Sequence, residues 1–428
     1  MEVADQAAQP QGWRRWISVL GPGLITGASD DDPSGISTYS VSGASAGYSM
    51  LWIVLLTTPM MAVIQGMCSR IGMVTGIGLA TNMRRHLPMW LVVPLALAIV
   101  VANIMNAGAD LEGMGASAQM VLGFPQLAWV VFFGVVLIVT QVFFSYRLIF
   151  AIVKWLTISL FAYVITAFVV HPPWGLVLRH LVWPELHFNA SWLTTLMAVL
   201  GTTITPYLFF WQSSLMVEEE KSMGRNSERA RRGATKAEID DAHLDSNIGM
   251  IFSNVVAFFI IVTTAATLYA HGLTHIASAQ DAAKALAPLA GRFAYLLFAL
   301  GMVGTGLLAI PALVGSSAYV AAETLHFREG LNLKLSRAPG FYGALVLGMI
   351  VAIAMGFLRI DPIRALFWSA VLNGLVAVPL LAVVVWFASS RAIMGEWTSS
   401  LVARAWGWAT VLVMGLAGIS IFVFWGKS

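Results

Sequence analysis

Charged side chains are scarce in this sequence. Asp, Glu, Lys and Arg make up 11% of the 428 residues, whereas hydrophobic residues make up 58%. Soluble domains carry roughly 25% charged residues. No polar stretch is long enough to bury a core of its own, so the composition excludes a separate soluble domain. The small net charge of +3 is typical of basic loops in a membrane protein and gives no support for nucleic-acid binding.

Cysteine is almost absent as well. Cys68 is the single one, so no disulfide can form within the chain. The eight histidines fall mainly in loops, and no HxxxH or Cys/His spacing predicts a zinc site. The sequence also lacks HExxH, GxSxG and any spacing of a nucleophile with a base. We therefore predict that the protein is not an enzyme and holds no resident cofactor.

Apolar runs of about twenty residues recur along the whole length, which is typical of an all-α polytopic membrane protein with its helices in the lipid bilayer. The first run lacks a cleavage site and is expected to be retained. Residues 1–16 are predicted to form a cytoplasmic segment and 403–428 to add a C-terminal helix. The eleven expected spans are 17–42, 48–70, 90–122, 126–144, 147–170, 192–216, 246–270, 290–322, 342–358, 365–388 and 403–425.

The distribution of cations predicts the orientation. Arg14, Arg15, Arg84, Arg85 and the arginines of a connector expected over 217–243 all fall on one side of the membrane. Basic loops favour the cytoplasm, so the N-terminus is predicted to be cytoplasmic. An odd number of spans then places the C-terminus outside. The expected location is the inner membrane of a bacterium. The connector itself is interpreted as a solvated link.

The first span carries an acidic triplet, Asp30-Asp31-Asp32, followed at once by Pro33-Ser34-Gly35. Charge at that depth in a bilayer is costly and is rarely kept without a use. Proline interrupts a helix and frees backbone carbonyls. Carboxylates beside free carbonyls form an oxygen-rich site, which suits a hard cation.

The sixth span has a matching interruption. Pro206 lies in its apolar middle, just after Thr202, Thr203 and Thr205. Two spans broken by proline, five spans apart, indicate an inverted repeat of five plus five helices, with the functional site where the breaks meet. The core is expected over 17–388, with the repeats over about 17–170 and 192–388. The alternative for span six alone is an ordinary proline kink.

The third span carries further polar residues. Asn103, Asn106 and Asp110 follow one another at helical spacing and are predicted to share a face, whereas Glu112 must point elsewhere. Buried carboxylates that lack a partner can carry protons. Asp110 and Glu112 are therefore candidates for a proton path. The alternative is that both acids lie in water at the outer end of the helix.

These segments resemble the Nramp family (natural resistance-associated macrophage proteins), proton-coupled divalent metal transporters with a LeuT-type fold. The residues that carry the resemblance are Gly21-Pro22-Gly23, the break at Asp32-Pro33, the stretch from Gly47 to Trp52 and the span-six segment from Leu200 to Ser213. Their order and spacing match the family over roughly spans one to ten. The resemblance implies a LeuT-type fold with broken helices one and six.

The chain departs from the family at several ligands. The family's DPGN reads Asp32-Pro33-Ser34-Gly35 here, so its asparagine has become Gly35. Its MPH reads Thr205-Pro206-Tyr207. Thr202 occupies the position of a family alanine. Ala370 occupies that of a span-ten glutamine, with Asn373 one helical turn further on. In span three, Asp110 corresponds to a family glutamate and Ala107 to a family aspartate. The resemblance implies a divergent branch, similar to Nramp-related proteins that lost the methionine and carry magnesium.

The resemblance implies a secondary transporter that moves a divalent cation by alternating access. Without thioether sulfur, oxygen ligands favour Mg²⁺ or Mn²⁺ over soft metals. Asp32, Thr202, Thr205 and Asp31 are the candidate metal-binding residues. The candidates for the substrate path or for holding the ion's hydration shell are Asp30, Gly35, Tyr207 and Asn373. Coupling to protons is possible, although the loss of the family's histidine argues against it.

Two alternatives remain open. The first keeps the fold but changes the cargo to a small non-metal solute, since fold alone does not determine function. The second is a membrane sensor that binds its ligand without transporting it and signals through the connector at 217–243. Flux measurements distinguish the sensor from a transporter, and competition between metals and small solutes distinguishes the two kinds of cargo.

Overall fold

The structure is a computed structural model, and it describes residues 26–27, 29–144, 156–358 and 360–424. This part of the chain consists of helices and their connections, with no β-strand. Helices of five residues or fewer are left unlabelled. The labelled helices are α1 Pro33–Ala46, α2 Leu51–Thr75, α3 Leu79–His86, α4 Met89–Leu122, α5 Gln126–Phe143, α6 Phe161–Val170, α7 Trp174–Val182, α8 Ala190–Thr203, α9 Pro206–Ser222, α10 Lys236–Thr267, α11 Ala294–Leu325, α12 Pro339–Met355, α13 Pro362–Ser389 and α14 Leu401–Phe424.

The number of spans in the described residues is roughly consistent with the predicted eleven. Within the described residues, nine stretches are long and apolar enough to cross a membrane, and one of them is the interrupted pair α8–α9. The shorter apolar helix Ile158–Val170 lies within predicted span five, and α1 lies within predicted span one. Most of the first half of span one, the start of span five and the predicted N-terminal segment lie outside the described residues.

Both predicted interruptions are present. Ser29 and Asp30 are helical, Asp31 and Asp32 are not, and α1 then begins at Pro33. In the sixth span α8 ends at Thr203, and Thr205 has an extended conformation. In both cases the new helix begins at a proline. Proline suits the first position of a helix because its missing N–H is not needed there, and it disfavours helical geometry in the residue before it.

Small residues allow close packing of the helices around the breaks. Helix α1 lies against α8, α10 and α13, and α8 packs along α13. At the crossing of α8 and α13, Gly201 lies so close to Ala370 and Gly374 that an added Cβ would be 2.2 Å from the carbonyl oxygen of Ala370. Small residues permit this close approach of helices in a membrane. The breaks are therefore enclosed by protein on every side described.

The outer surface of the bundle is apolar. Large hydrophobic side chains such as Trp90, Phe132, Leu347 and Leu412 are exposed. A soluble monomer rarely shows such a surface, whereas lipid tails cover it in a membrane protein. The polar side chains of the triplet, by contrast, are at most 3% exposed. The arrangement is that of an integral membrane protein with a polar centre.

The connector predicted over 217–243 is shorter in the structure. Helix α9 continues to Ser222 and α10 begins at Lys236, so only 223–235 link them, with a short helix at Glu228–Arg231. Glu and Lys are strong helix formers, which extends both helices beyond the membrane. A capping box between Thr235 and Glu238 starts α10. Both ends of the predicted connector are therefore helical, and its position outside the membrane stays a prediction.

Candidate functional site between the two broken helices

Asp32 is held at the first break by the start of α1. Its Oδ1 accepts hydrogen bonds from the backbone N–H of Gly35 over 2.7 Å and from the hydroxyl of Ser34 over 2.9 Å. This is the geometry of a helix N-cap, which anions favour because the first N–H groups lack partners in the helix. The side chain is 3% exposed. The predicted ligand is therefore buried and oriented.

The second oxygen of Asp32 faces α4. Asn106 donates from Nδ2 to Oδ2 of Asp32 over 2.9 Å, and Ser369 of α13 donates to Oδ1 of Asn106 over 2.7 Å. Because Ser369 donates to it, the amide of Asn106 presents its nitrogen to the carboxylate. This chain of hydrogen bonds joins α13, α4 and the first break.

Asp110 lies one turn further along α4 and contacts the same break. Its Oδ1 accepts from the backbone N–H of Ser34 over 3.2 Å, while its Oδ2 has no hydrogen-bond partner in the described part of the chain. Asp110 is fully buried. Asn103 contacts Leu313 and Ser316 of α11 instead, through bonds of 3.4 Å. Asn106 and Asp110 thus meet at the site, and Asn103 lies away from it.

Asp30 and Asp31 face a different helix from Asp32. Ser253 of α10 lies 2.6 Å from Oδ2 of Asp30 and 3.1 Å from Oδ1 of Asp31. The other oxygen of each acid has no hydrogen-bond partner among the described residues. Over these residues no three His, Cys, Asp or Glu side chains form a group that could hold a metal. Three carboxylates around one ion are therefore not the arrangement seen here.

The threonines of the second break complete the centre. Thr202 Oγ1 lies 3.4 Å from the hydroxyl of Ser34, and an added Cβ on Gly35 would also be 3.4 Å from it. Thr205 is 2% exposed, and its hydroxyl has no hydrogen-bond partner within the described segments. The structure thus brings Thr202 beside Ser34 and Gly35 across the two breaks, and the hydroxyl of Thr205 has no partner in the described part of the chain.

Tyr207 ties the broken helices to each other. Its hydroxyl donates to the carbonyl of Ser29 over 2.7 Å, and its own carbonyl accepts from Ser316 over 3.1 Å. A second tie joins the hydroxyls of Tyr39 and Thr203 over 2.9 Å. The aromatic ring thus packs between the breaks, with its hydroxyl engaged by main chain. Tyr207 closes the centre on this side.

Asn373 and Glu112 lie apart from these contacts. Asn373 is buried on α13, and its Oδ1 has no hydrogen-bond partner in the described ranges. Glu112 accepts from Nε2 of Gln126 over 2.5 Å and lines a cavity of about 450 Å³ between α4, α5 and the end of α12. As predicted, Glu112 points away from the face shared by Asn106 and Asp110.

Two serines of the site were missed by reasoning from the sequence. Ser253 and Ser369 hold Asp30, Asp31 and Asn106, yet single serines are common in membrane helices and no spacing distinguishes these two. Ser34 was noted only as part of the break. For the contacts of α4 with the first break, the one signal in the sequence was the helical spacing of Asn106 and Asp110.

A cavity larger than the one beside Glu112 lies at the ends of α1 and α8 that are far from the breaks. It has a volume of about 560 Å³ and is bordered by the end of α1, the segment Gly47–Met50 and the start of α8. Ser45, Asn189 and Thr195 contribute polar groups to its wall, and Tyr269 and Trp192 contribute rings. This cavity lies at the end of the bundle where α1 ends and α8 begins.

The centre is therefore a buried set of carboxylate, hydroxyl and amide oxygens between two interrupted helices of a five-plus-five inverted repeat. That architecture defines a LeuT-type integral membrane protein. The chain belongs to the Nramp family: the description "Natural resistance-associated macrophage protein-like" matches residues 23–424.

Similar proteins agree with this assignment. The chain is 26% identical over 433 residues to the "Divalent metal cation transporter MntH" of Acidiphilium cryptum, covering 99% of this chain and 94% of that protein. It is 28% identical over 408 residues to the protein of the same description from Klebsiella pneumoniae strain 342, covering 93% and 92%. Its fold matches the solved Eremococcus coleocola manganese transporter with a TM-score of 0.76 at 19% identity, covering 96% of this chain and 88% of that chain.

Proposed function

We propose that this protein is a secondary transporter that carries a divalent metal cation across the membrane by alternating access. The family and the MntH relatives support the class of cargo. The observation that carries the proposal is the buried carboxylate of Asp32 at the first break. Its hydrogen-bond partner Ser34 lies 3.4 Å from the hydroxyl of Thr202 at the second break. A hard cation needs such oxygens.

Asp32 is the first ligand in this proposal. Thr202 and Thr205 add hydroxyl or carbonyl oxygen from the second break, and Asp31 supplies a further carboxylate once it turns from Ser253. Asp30, Gly35, Tyr207 and Asn373 line the path or hold the hydration shell. Within the described residues, one oxygen each of Asp30 and Asp31 and the hydroxyl of Thr205 have no hydrogen-bond partner. Buried polar atoms normally have partners, so these atoms support this division of roles.

The proposed cargo is Mg²⁺ or Mn²⁺ rather than a softer metal. The described residues around the break offer oxygen and amide groups, while thioether sulfur, which favours soft ions, is not among the contacts of Asp32. Mg²⁺ keeps several waters and is commonly held by one or two carboxylates. Gly35 in place of an asparagine leaves no side chain on the face where such waters would lie.

Protons are the proposed coupling ion. Asp110 contacts the break through the N–H of Ser34, and its other oxygen has no partner in the described part of the chain. A cation bound at Asp32 would therefore interact with the carboxyl group of Asp110 and could change its protonation. Glu112 would continue the path into the cavity that it lines beside Gln126. We further place the protein in the inner membrane of a bacterium, with the N-terminus in the cytoplasm and the C-terminus outside, and the repeats over 17–170 and 192–388.

Uptake into liposomes tests the proposal. Purified wild-type protein should take up Mn²⁺ and Mg²⁺, whereas Asp32→Asn, which keeps the shape of the side chain, should lower the rate at least about tenfold because the charge is lost. Glu396→Gln, an exposed acid far along the chain, is the matched control and should transport normally. Equal uptake by wild type and Asp32→Asn would contradict the assignment of Asp32.

Two further measurements distinguish a metal transporter from the alternatives, a transporter of another solute and a sensor. Competition of Mn²⁺ binding by amino acids or small anions would indicate a non-metal cargo. Saturable Mn²⁺ binding with no flux in the same liposomes would indicate a sensor. A pH gradient should drive Mn²⁺ uptake in wild type, and Asp110→Asn should abolish that dependence while leaving binding intact. Uptake that ignores the gradient in wild type would overturn the proposed coupling but not the transport itself.

A further inference from the structure

Four arginines from three distant parts of the chain line one cavity. Arg85 lies in α3, Arg229 and Arg232 lie in the link between α9 and α10, and Arg391 follows α13. The cavity has a volume of about 720 Å³. These residues are up to 306 positions apart in sequence (391 minus 85), so only the tertiary structure brings them together.

The arginines are not fully neutralised. Arg85 forms a bidentate salt bridge with Glu228, with hydrogen bonds of 2.6 and 2.8 Å. A nitrogen of Arg232 lies 4.0 Å from the same carboxylate. The hydrogen bonds of Arg85 lower the pKa of Glu228, so that this acid is charged at neutral pH. The side chains of Arg229 and Arg391 form no ion pair or hydrogen bond with any residue that the structure describes. Glu396 is the acid in the wall itself, so cations remain in excess.

The cavity lies where the protein leaves the membrane. It is bordered by the last residues of α2 and by the link from α13 to α14, which contributes Trp397. Tryptophan is favoured at the level of lipid headgroups. Four residues further on, α14 begins with Leu401 and Val402, which are 81% and 69% exposed, as expected for side chains that face lipid tails. The positive-inside rule assigns this end to the cytoplasm.

We propose that this cavity binds a phosphate group, with Arg229 and Arg391 as its main contacts and Arg85 and Arg232 at its edge. A guanidinium group can donate two parallel hydrogen bonds to two oxygens of one phosphate. Basic pockets at the cytoplasmic ends of membrane helices are suited to anionic headgroups. An anionic phospholipid and free inorganic phosphate share this chemistry, and the exposed apolar start of α14 beside the cavity favours the lipid.

The binding of phospholipid to delipidated full-length protein tests the inference, by native mass spectrometry with phosphatidylglycerol and phosphatidylcholine as probes. Wild type should bind phosphatidylglycerol more tightly, and Arg229→Gln with Arg391→Gln should weaken that binding about fivefold for each arginine removed. The matched control is Arg328→Gln with Arg337→Gln, which removes two cations from the loop after α11 and should change little.

A second measurement needs no variant. In wild type, raising the salt from about 0.05 to about 0.5 M should weaken phosphatidylglycerol binding and leave phosphatidylcholine unchanged, because salt screens the arginines. Inorganic phosphate that displaces the lipid from wild type would identify free phosphate as a ligand of the same site. No preference for phosphatidylglycerol in wild type, together with no effect of phosphate, would overturn the inference. So would equal losses in the two double variants. Metal is absent throughout, so the result is independent of the transport proposal.

Discussion

Asn106 donates a hydrogen bond of 2.9 Å to the carboxylate of Asp32, and Ser369 fixes the amide that makes it. Replacing Asn106 with Ala leaves one oxygen of a buried carboxylate without its donor. Hydrogen bonds to charged groups contribute about 1.5–3 kcal/mol. We expect Asn106→Ala to lower Mn²⁺ affinity about tenfold, because the ligand is no longer held in place. Equilibrium binding of radioactive Mn²⁺ measures this.

Asn103→Ala is the control for that prediction. Asn103 lies on the same helix, but its amide contacts Leu313 and Ser316 rather than the break. It should bind Mn²⁺ like wild type. An equal loss of affinity in both variants would show that the effect comes from disturbing α4 and not from the contact with Asp32.

Restoring the ligands of the family should change the preferred metal. An asparagine at Gly35 would place its Cβ 3.4 Å from Thr202 Oγ1 and 3.5 Å from Asp32 Oδ1, which is ordinary contact. A methionine at Thr205 adds a thioether, which suits soft ions. The double variant Gly35→Asn with Thr205→Met should raise Cd²⁺ uptake relative to Mg²⁺ by about tenfold or more, measured by competition in liposomes.

Thr205→Ser is the control, since it keeps the hydroxyl and adds no sulfur. It should retain the wild-type order of metals. If the double variant folds and transports but prefers the same metals as wild type, then the breaks do not set selectivity.

The crossing of α8 and α13 should not tolerate a methyl group. Gly201→Ala places a Cβ 2.2 Å from the carbonyl of Ala370 and 2.5 Å from the nitrogen of Gly374, and backbone atoms cannot move aside. We expect a loss of stability of about 1–3 kcal/mol or more, seen as a lower melting temperature in detergent. Gly343→Ala in α12, where nothing lies within 4 Å, should melt near wild type. Similar melting of both variants would contradict the close packing.

Glu329 should make stability depend on pH. Burial, together with the nearby carboxylates of Glu323 and Glu218, raises the pKa of Glu329 from 4.5 to about 8, against the opposing effect of Lys221 and Arg84. The unfolded chain therefore releases this proton at lower pH than the folded protein does. The contribution to stability is complete below about pH 4.5 and is lost as the pH rises through about 8.

The variant Glu329→Gln removes this titration. Its melting temperature should fall less than that of wild type between pH 5 and 8, a range that the shift to about 8 defines. Glu396→Gln, an exposed acid, should follow the wild-type curve. Parallel curves for wild type and Glu329→Gln would show that Glu329 is not the group responsible.

Much of the site was predictable because its parts carry strong local signals. An acidic triplet before Pro33 and threonines before Pro206 each mark a break within an apolar run, and charge in such a run is rare. Both breaks are confirmed, and Glu112 points away from them as predicted. Of the three residues predicted to share a face, Asn106 and Asp110 contact the break, whereas Asn103 contacts α11. The sequence did not reveal that both ends of the connector are helical, since α9 and α10 continue into the charged stretch.

The sequence by itself determined the class of protein, the number of spans and the position of the breaks. These follow from hydropathy and from the geometry of proline, which act over a few residues. The tertiary structure alone decided that Asp30 and Asp31 turn to Ser253 while Asp32 turns to Asn106. It alone decided that Arg229 and Arg391 share a cavity. Such contacts depend on how distant helices pack, and no local pattern in the chain encodes that packing.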